Sequence, residues 1–374
     1  MQFRDLGKQY EVLRPQIDYA IASTIEKSTF IGGESVRNLE KELAEYVGVK
    51  YCISCANGTD ALTAALMAWD IGVGDAVFVP DFTFFSTGEI VAFEGATPVF
   101  VDVDENTFNI SVDSLEYQIK KVIEEGKLRP KAVIPVDLFG LPADYEKIYK
   151  VAKQYNLLIL EDGAQGFGGE LYGKKACSFG NISTTSFFPA KPLGCYGDGG
   201  AIFTDDEELQ ALLRSICVHG KGTMKYDNVR IGMNSRLDTI QAAILSVKLK
   251  AFSDFELQSV NKVAEQYTEQ LAGIVKTPGI AEGYLSSWAQ YTIQLNSCEE
   301  RDNLQATLRE NGIPTMVYYP KPMHCQKAFA ELKSADEDYP NTIQLCNTVL
   351  SLPMHPYMQE EDVAKVVDNI KTVL

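Results

Sequence analysis

Histidine is scarce in this 374-residue chain, with single copies at His219, His324 and His355. They lie far apart and no metal-ligand spacing surrounds them, so no metal site is expected. Positive charge is also short. The 34 Lys and Arg against 51 Asp and Glu leave a net charge of −17, which sets nucleic acid and anionic membranes aside as partners. A small anion stays open, because a local site can be positive on an acidic protein. No apolar run approaches the roughly 20 residues that cross a bilayer. Residues 1–16 are polar and lack the apolar core of a signal peptide, so the cytoplasm is the expected location. Of eight cysteines, Cys52 and Cys55 alone have CxxC spacing. They sit inside an apolar strand-like run, where a buried core pair is expected. Repeats and low-complexity segments are missing too.

What is present is an ordinary globular composition, 45% hydrophobic and 23% charged, long enough for two or three intimately packed units. Strand-like runs at 51–56, 76–80, 97–102, 131–136, 157–161 and 184–187 alternate with helical patterns such as 60–69 and 145–154. That alternation predicts an α/β fold with a mostly parallel sheet covered by helices on both faces, and functional groups at the carboxyl ends of strands. A long helix is expected over 236–255. A smaller α+β unit follows, with strands near 288–295 and 315–319 and helices near 299–311 and 360–373. The division is placed at 1–250 and 251–374. No flexible linker marks it, so the two units should dock tightly.

Three stretches could carry chemistry. Asn57-Gly58-Thr59-Asp60 stands between a strand and a helix, where glycine admits a close ligand and a helix N-terminus offers free N–H groups to an anion. An ordinary turn and cap would look the same. Glu161 and Asp162 end an apolar strand, and a buried carboxylate there can pair with a cationic ring nitrogen. A helix cap or loop ion pair is the plainer alternative. Lys191 stands in a turn bounded by Pro189, Pro192 and Gly194, shortly after a strand ends. In so rigid and apolar a loop an amine can lose its proton and attack a carbonyl, although an exposed loop lysine would fit the same text. Taken together, an anion cup, a strand-end carboxylate and a confined lysine are the parts of a pyridoxal-phosphate site.

These stretches, with Asp81-Phe82-Thr83-Phe84-Phe85-Ser86-Thr87, Gln165, the run from Ser186 to Gly200, and Gly232 to Asp238, resemble the DegT family of nucleotide-sugar aminotransferases over essentially the whole chain. The resemblance implies the type I aminotransferase fold, pyridoxal 5′-phosphate cycling through its pyridoxamine form, and a homodimer with shared active sites. It implies that Lys191 is the Schiff-base lysine. Asp162 would face the pyridine nitrogen, and Gly58, Thr59 and Ser186 would bind the phosphate. Phe84 would stack on the ring and Gln165 would contact its 3-oxygen. Asn234 would reach the phosphate in the neighbouring subunit. Ser28, Phe30, Arg236, Tyr318 and Tyr319 resemble substrate-contacting positions, with core packing as the alternative for Phe30 and Tyr318.

The wording from Asn234 to Asp238 resembles the branch acting at C3 of the sugar. The implied substrates are L-glutamate as donor and a UDP-linked 3-oxo-2-acetamido sugar, first of all the glucuronate, in making precursors of cell-surface polysaccharide such as O-antigen. A 4-oxo-6-deoxy sugar is the runner-up. Two departures weigh against the glucuronate. Ala190 stands where such relatives often have Ser, and Tyr318 stands where they have His. Arg236 could grip the carboxylates of glutamate and of a hexuronate in turn. A sugar dehydratase of the same family would need histidine in place of Lys191. A regulator built on this domain would need a DNA-binding module, and the first motif begins too early, at Asn57, to leave room for one.

Overall fold

The computed structural model describes residues 1–224 and 226–374. The apolar runs of the first half become β1 (Tyr51–Cys55), β2 (Asp75–Pro80), β3 (Thr97–Val101), β4 (Arg129–Val133) and β5 (Leu158–Asp162). The two-residue strands β6 (Glu170–Leu171) and β7 (Lys174–Lys175) follow, then β8 (Ile182–Ser186) and β9 (Gly200–Thr204). Seven of these nine form one sheet in the order β1-β9-β8-β5-β4-β2-β3. β9 runs against both of its neighbours, and the other pairings are parallel. The strand at 131–136 comes two to three residues earlier than the sequence suggests, because Arg129 and Pro130 pair with β2 while beyond Val133 only an isolated bridge of Val136 to Asp162 continues it.

Alternate residues of each strand face opposite layers. Val77 and Val79 pack with Ala61, Leu62 and Leu66 of α3 (Gly58–Ala68) and Ile90 of α4 (Ser86–Phe93). Ala76 and Phe78 pack with Leu115 and Ile119 of α5 (Val112–Glu125) and Ile148 of α6 (Tyr145–Tyr155). All six residues of β2 are buried, as expected for a strand covered on both faces. The carboxyl ends of β1, β2, β4, β5 and β8 therefore open on one edge of the sheet. Cys52 and Cys55 are both buried and free.

The N-terminal α1 (Leu6–Lys27) lays Leu13 and Ile17 against Ile244 and Ala251 of α8 (Thr239–Ala251). α2 (Glu34–Val47) and α7 (Glu207–Ile216) flank the sheet. The helix expected over 236–255 differs at both ends. It begins at Thr239, because residues 234–238 are extended. It does not stop at 255, because no Gly or Pro interrupts the chain. A π turn at Phe252–Glu256 carries it directly into α9 (Leu257–Leu271). Position 250 thus lies inside a continuous rod.

Beyond the rod, β10 (Tyr284–Leu285) adds to β6, and β11 (Tyr291–Gln294) pairs with β12 (Val349–Leu352). β11 and β12, with α10 (Cys298–Glu310) and α12 (Glu360–Val373), surround a second core containing Tyr267, Tyr291, Ile293, Leu304, Leu350, Val363 and Ile370, while α11 (Pro340–Thr348) packs Leu345 and Cys346 against Phe82, Val136 and Phe139. The strand expected near 315–319 does not form. Met316 makes a single bridge to Ser351, with Pro314 and Pro320 denying donors on either side. No helix among the described residues is long and apolar enough to cross a membrane.

Candidate active site

β1 delivers the chain to Asn57, whose side chain caps α3 by accepting from Asp60 N at 2.8 Å. The cap leaves the first N–H groups of the helix, at Gly58 and Thr59, without helical acceptors, and the helix dipole adds positive potential there. Ser186, the last residue of β8, closes the cup from the side. A Cβ on Gly58 would stand 2.8 Å from the Ser186 Cβ, so only glycine lets helix and strand end meet this closely.

Two strands away from β1 in the sheet, β8 lies beside β5, and Asp162 is the last residue of β5, in register with Thr184. The two strand-end carboxylates prove to have different jobs. Glu161 is fully buried and accepts from Phe179 N at 2.6 Å and Ser183 Oγ at 2.7 Å, and from Cys177 N as well. It ties down the loop that precedes β8. Asp162 faces the strand-end cleft, accepting from Thr87 Oγ1 at 3.0 Å and Ala164 N at 3.2 Å. Burial raises its pKa, opposed by the Lys191 ammonium and these donors. Thr87 was quoted within a motif but given no role by the sequence. Its contact with Asp162 joins α4 to β5 across 75 residues, which no local pattern announces.

Lys191 sits at the apex of a closed loop. Phe187 O receives Cys195 N at 2.8 Å, and Phe188 O receives Lys191 N at 2.9 Å. Gly194 is again obligatory, since a Cβ there would stand 2.4 Å from Pro189 O. Arg4 completes the loop from the far end of the chain, donating from Nη2 to the carbonyls of Lys191 at 2.8 Å and Pro192 at 3.3 Å. Burial lowers the Lys191 pKa. The Asp162 charge opposes that fall and Arg4 adds to it. Burial likewise lowers Arg4 to about 10. Sequence reading missed Arg4 entirely, because its partners are 187 and 188 residues away.

Gln165 joins the loop after β4 to the segment after α10, inside one aromatic cluster. Its Oε1 accepts from Phe139 N at 2.8 Å and its Nε2 donates to Tyr319 Oη at 3.0 Å. Tyr319 stacks edgewise on Phe82 and Tyr318, and burial raises both tyrosine pKa values. Phe84 remains 55% exposed although its neighbours Phe82 and Thr83 are buried, so its ring is available to a ligand. The structure therefore collects Gly58, Thr59, Phe84, Asp162, Gln165, Ser186, Lys191, Tyr318 and Tyr319 around the strand-end edge.

Ser28, Phe30, Asn234 and Arg236 form a separate patch. Thr239 N donates to Phe30 O at 2.9 Å and Thr239 Oγ1 donates to Gly32 O at 2.8 Å, which docks residues 28–33 on the start of α8. The extended run before that helix alternates. Ser235 and Leu237 point inward, while Asn234, Arg236 and Asp238 point out. A cavity of about 410 Å³ opens there, lined by Ala56, Gly197, Asn234 and Arg236 among others. Among the described residues, neither side chain has a hydrogen-bond or ion-pair partner, and no such bond joins the two groups.

A parallel sheet with a cupped helix N-terminus, a buried strand-end carboxylate and a looped lysine on one edge defines a cofactor-dependent enzyme of the transaminase class. The chain belongs to the DegT/DnrJ/EryC1/StrS aminotransferase family, whose profile matches residues 12–371. It is 44% identical to the UDP-2-acetamido-2-deoxy-3-oxo-D-glucuronate aminotransferase of Pseudomonas aeruginosa, over 96% of each chain. It is 41% identical to the UDP-N-acetyl-3-dehydro-α-D-glucosamine 3-aminotransferase of Acidithiobacillus ferrooxidans, over 99% of this chain and 97% of that one. A solved family member from Brucella abortus superposes with a TM-score of 0.96 at 49% identity, covering 100% of this chain and 99% of that one. A Bacillus subtilis protein solved with its cofactor PMP bound superposes at 0.87 with 30% identity, covering 96% of this chain and 82% of that one.

Proposed function

We propose that this chain is a pyridoxal-phosphate aminotransferase that places the amino group of L-glutamate on C3 of a UDP-linked 3-oxo-2-acetamido sugar. The observation that carries it is the buried Lys191 on the loop after β8, within electrostatic reach of Asp162 at the end of the adjacent β5 and beside the Gly58–Ser186 cup. These residues fit the cofactor: a cup that a Cβ would fill for its phosphate, a buried carboxylate for its ring nitrogen, an exposed Phe84 for its ring face and a lysine for its aldehyde. When bound, pyridoxal phosphate supplies the electron sink that makes an amino acid's Cα–H acidic.

The chain's own groups do the rest. The free N–H groups of Gly58 and Thr59 and the Ser186 hydroxyl hold the phosphate dianion. Asp162 keeps a proton on the ring nitrogen, since a buried carboxylate gains most from a cation beside it. The Lys191 amine, its pKa lowered by burial, would act as general base toward the donor's Cα proton and then as general acid, completing a 1,3-shift of that proton across the nitrogen. Gln165 fixes Tyr319 and would reach the ring 3-oxygen with its remaining N–H.

Relatives with a C6 carboxylate and without one share the UDP group, the 2-acetamido group and attack at C3. Those three features define the substrate class, and the glucuronate is the first member to test. Arg236, without a partner among the described residues, suits the side-chain carboxylate of glutamate and the uronate in turn. The deciding experiment runs the enzyme backward, with 2-oxoglutarate as acceptor. The compounds are a UDP-linked 3-amino hexuronate, the 3-amino glucosamine analogue and a 4-amino-6-deoxy sugar. Consumption of a 3-amino compound is the expected result. Consumption of the 4-amino compound alone would overturn the C3 assignment, and failure of 2-oxoglutarate with every sugar would remove glutamate as donor.

The active unit is a homodimer in this reading. Asn234 and Arg236 are exposed beside an open cavity, and Met224, Val229 and Ile231 nearby are more than half exposed, an apolar surface that a second copy would cover. Mixing Lys191→Ala with Asn234→Ala chains should restore part of the activity lost by each, because the hybrid holds one intact site. Hybrids that demonstrably form and stay inactive would show that the sites are not shared. In the cytoplasm such an enzyme would feed amino sugars to cell-surface polysaccharide.

A further inference from the structure

The spacing of the histidines gives no hint of a metal, yet the fold sets His324 beside a cysteine and a carboxylate. β2 hands the chain to Asp81, which is fully buried, and residues 322–336 pass over it. Met323 N donates to Asp81 O at 2.9 Å and His324 N donates to Asp81 Oδ1 at 2.7 Å. The His324 ring presents Nδ1 to Asp81 Oδ2 at 2.6 Å and lies flat on Tyr339, with centroids 4.5 Å apart. The ring is thus fixed from three sides, and Nε2 is aimed outward. There it meets Asp336 Oδ1 at 3.0 Å and Cys325 Sγ at 3.3 Å. The three ligand atoms lie within 4.8 Å of one another.

Hydrogen accounting makes this arrangement unusual. A neutral imidazole has one N–H, and the buried Asp81 carboxylate claims it at Nδ1. Burial disfavours a charged ring, but the flanking carboxylates outweigh it and favour a second proton at Nε2, toward Asp336. That proton serves Asp336 and leaves the sulfur outside. A divalent cation satisfies nitrogen, sulfur and oxygen together, and this mixed set is the one zinc takes. The Asp81–His324 bond is also the kind of outer contact that orients a metal-ligating histidine. Tetrahedral zinc would separate such ligands by roughly 3.3–3.6 Å. The observed spacings reach that range with a small swing of Asp336, whose side chain is 72% exposed.

We infer that His324 Nε2, Cys325 Sγ and the Asp336 carboxylate bind one zinc-class divalent ion, with water in the fourth position. Binding expels the thiol proton of Cys325 and the second ring proton of His324 to solvent. The ion would tie Asp336 back to His324 and Cys325, whose segment is already hydrogen-bonded to Asp81 at the end of β2, outside the cofactor cup.

The test is a titration of chelator-treated, cofactor-loaded full-length protein with Co²⁺, followed by its visible d–d bands, which the cofactor does not obscure. One equivalent per chain should give the intense bands of a tetrahedral thiolate site, and one equivalent of Zn²⁺ should erase them. Cys325→Ser should abolish the thiolate spectrum, and Asp336→Asn should weaken binding at least tenfold. Both variants should keep the wild-type circular dichroism and cofactor absorbance, which separates loss of a ligand from loss of the fold. A spectrum that survives Cys325→Ser, or no tetrahedral spectrum in the parent protein, overturns the site.

Discussion

Lys191→Ala should abolish transamination while leaving the fold in place. The loop does not depend on the amine. Its hydrogen bonds run through the backbone N–H and carbonyl of residue 191, and alanine keeps both. What is lost is the group that anchors the cofactor and carries the proton. Positioned general acid–base catalysis alone is worth about 10² to 10⁴ in rate, and loss of covalent anchoring adds to it. A fall in kcat of at least ~10³ is therefore expected, with an unchanged far-ultraviolet circular dichroism spectrum. Turnover within tenfold of the parent enzyme would mean that another amine does the work.

Asp162→Asn has the second largest expected effect. Asparagine matches the carboxylate in size and can still accept from Ala164 N, so cofactor should remain bound. It cannot stabilise a proton on the ring nitrogen. A charge aimed at developing charge in a closed site is worth about 10² to 10³ in kcat, and a loss of that order is expected. A change under tenfold would remove Asp162 from its role. Stability should move the other way in the cofactor-free protein. Burial raises the Asp162 pKa above its unfolded value, so its protonated form favours folding and its ionised form opposes it as pH rises through the folded pKa. At neutral pH the substitution removes that opposition, and Tm should hold or rise.

The parts of the site that could be read from sequence are those fixed by short-range rules. Gly58 had to be glycine because a helix starts against a strand end. Lys191 stood out because Pro189, Pro192 and Gly194 confine it. Asp162 followed from an apolar strand ending in charge. Thr87 and Arg4 could not be found this way, since their contacts depend on which strands become neighbours. Asp336 was invisible for the same reason, lying in a loop with no periodicity. The missing strand near 315–319 shows the limit of composition, because β-branched and aromatic residues between two prolines still lack a ladder partner. The helix from Thr239 to Leu271 shows the converse. With no glycine or proline in it, nothing ends it where the chain passes from one core to the next.

Arg4 also bears on how the enzyme comes into being on a ribosome. The helix that follows it needs Ile244 and Ala251 as its seat, so the first residues cannot settle over the lysine loop until about two thirds of the chain has emerged. A nascent chain exposes its amino end early but finishes the pocket late. The lysine loop can close on its own bonds before that, but the Arg4 charge that joins burial in lowering the Lys191 pKa is added only when the rod behind the loop exists.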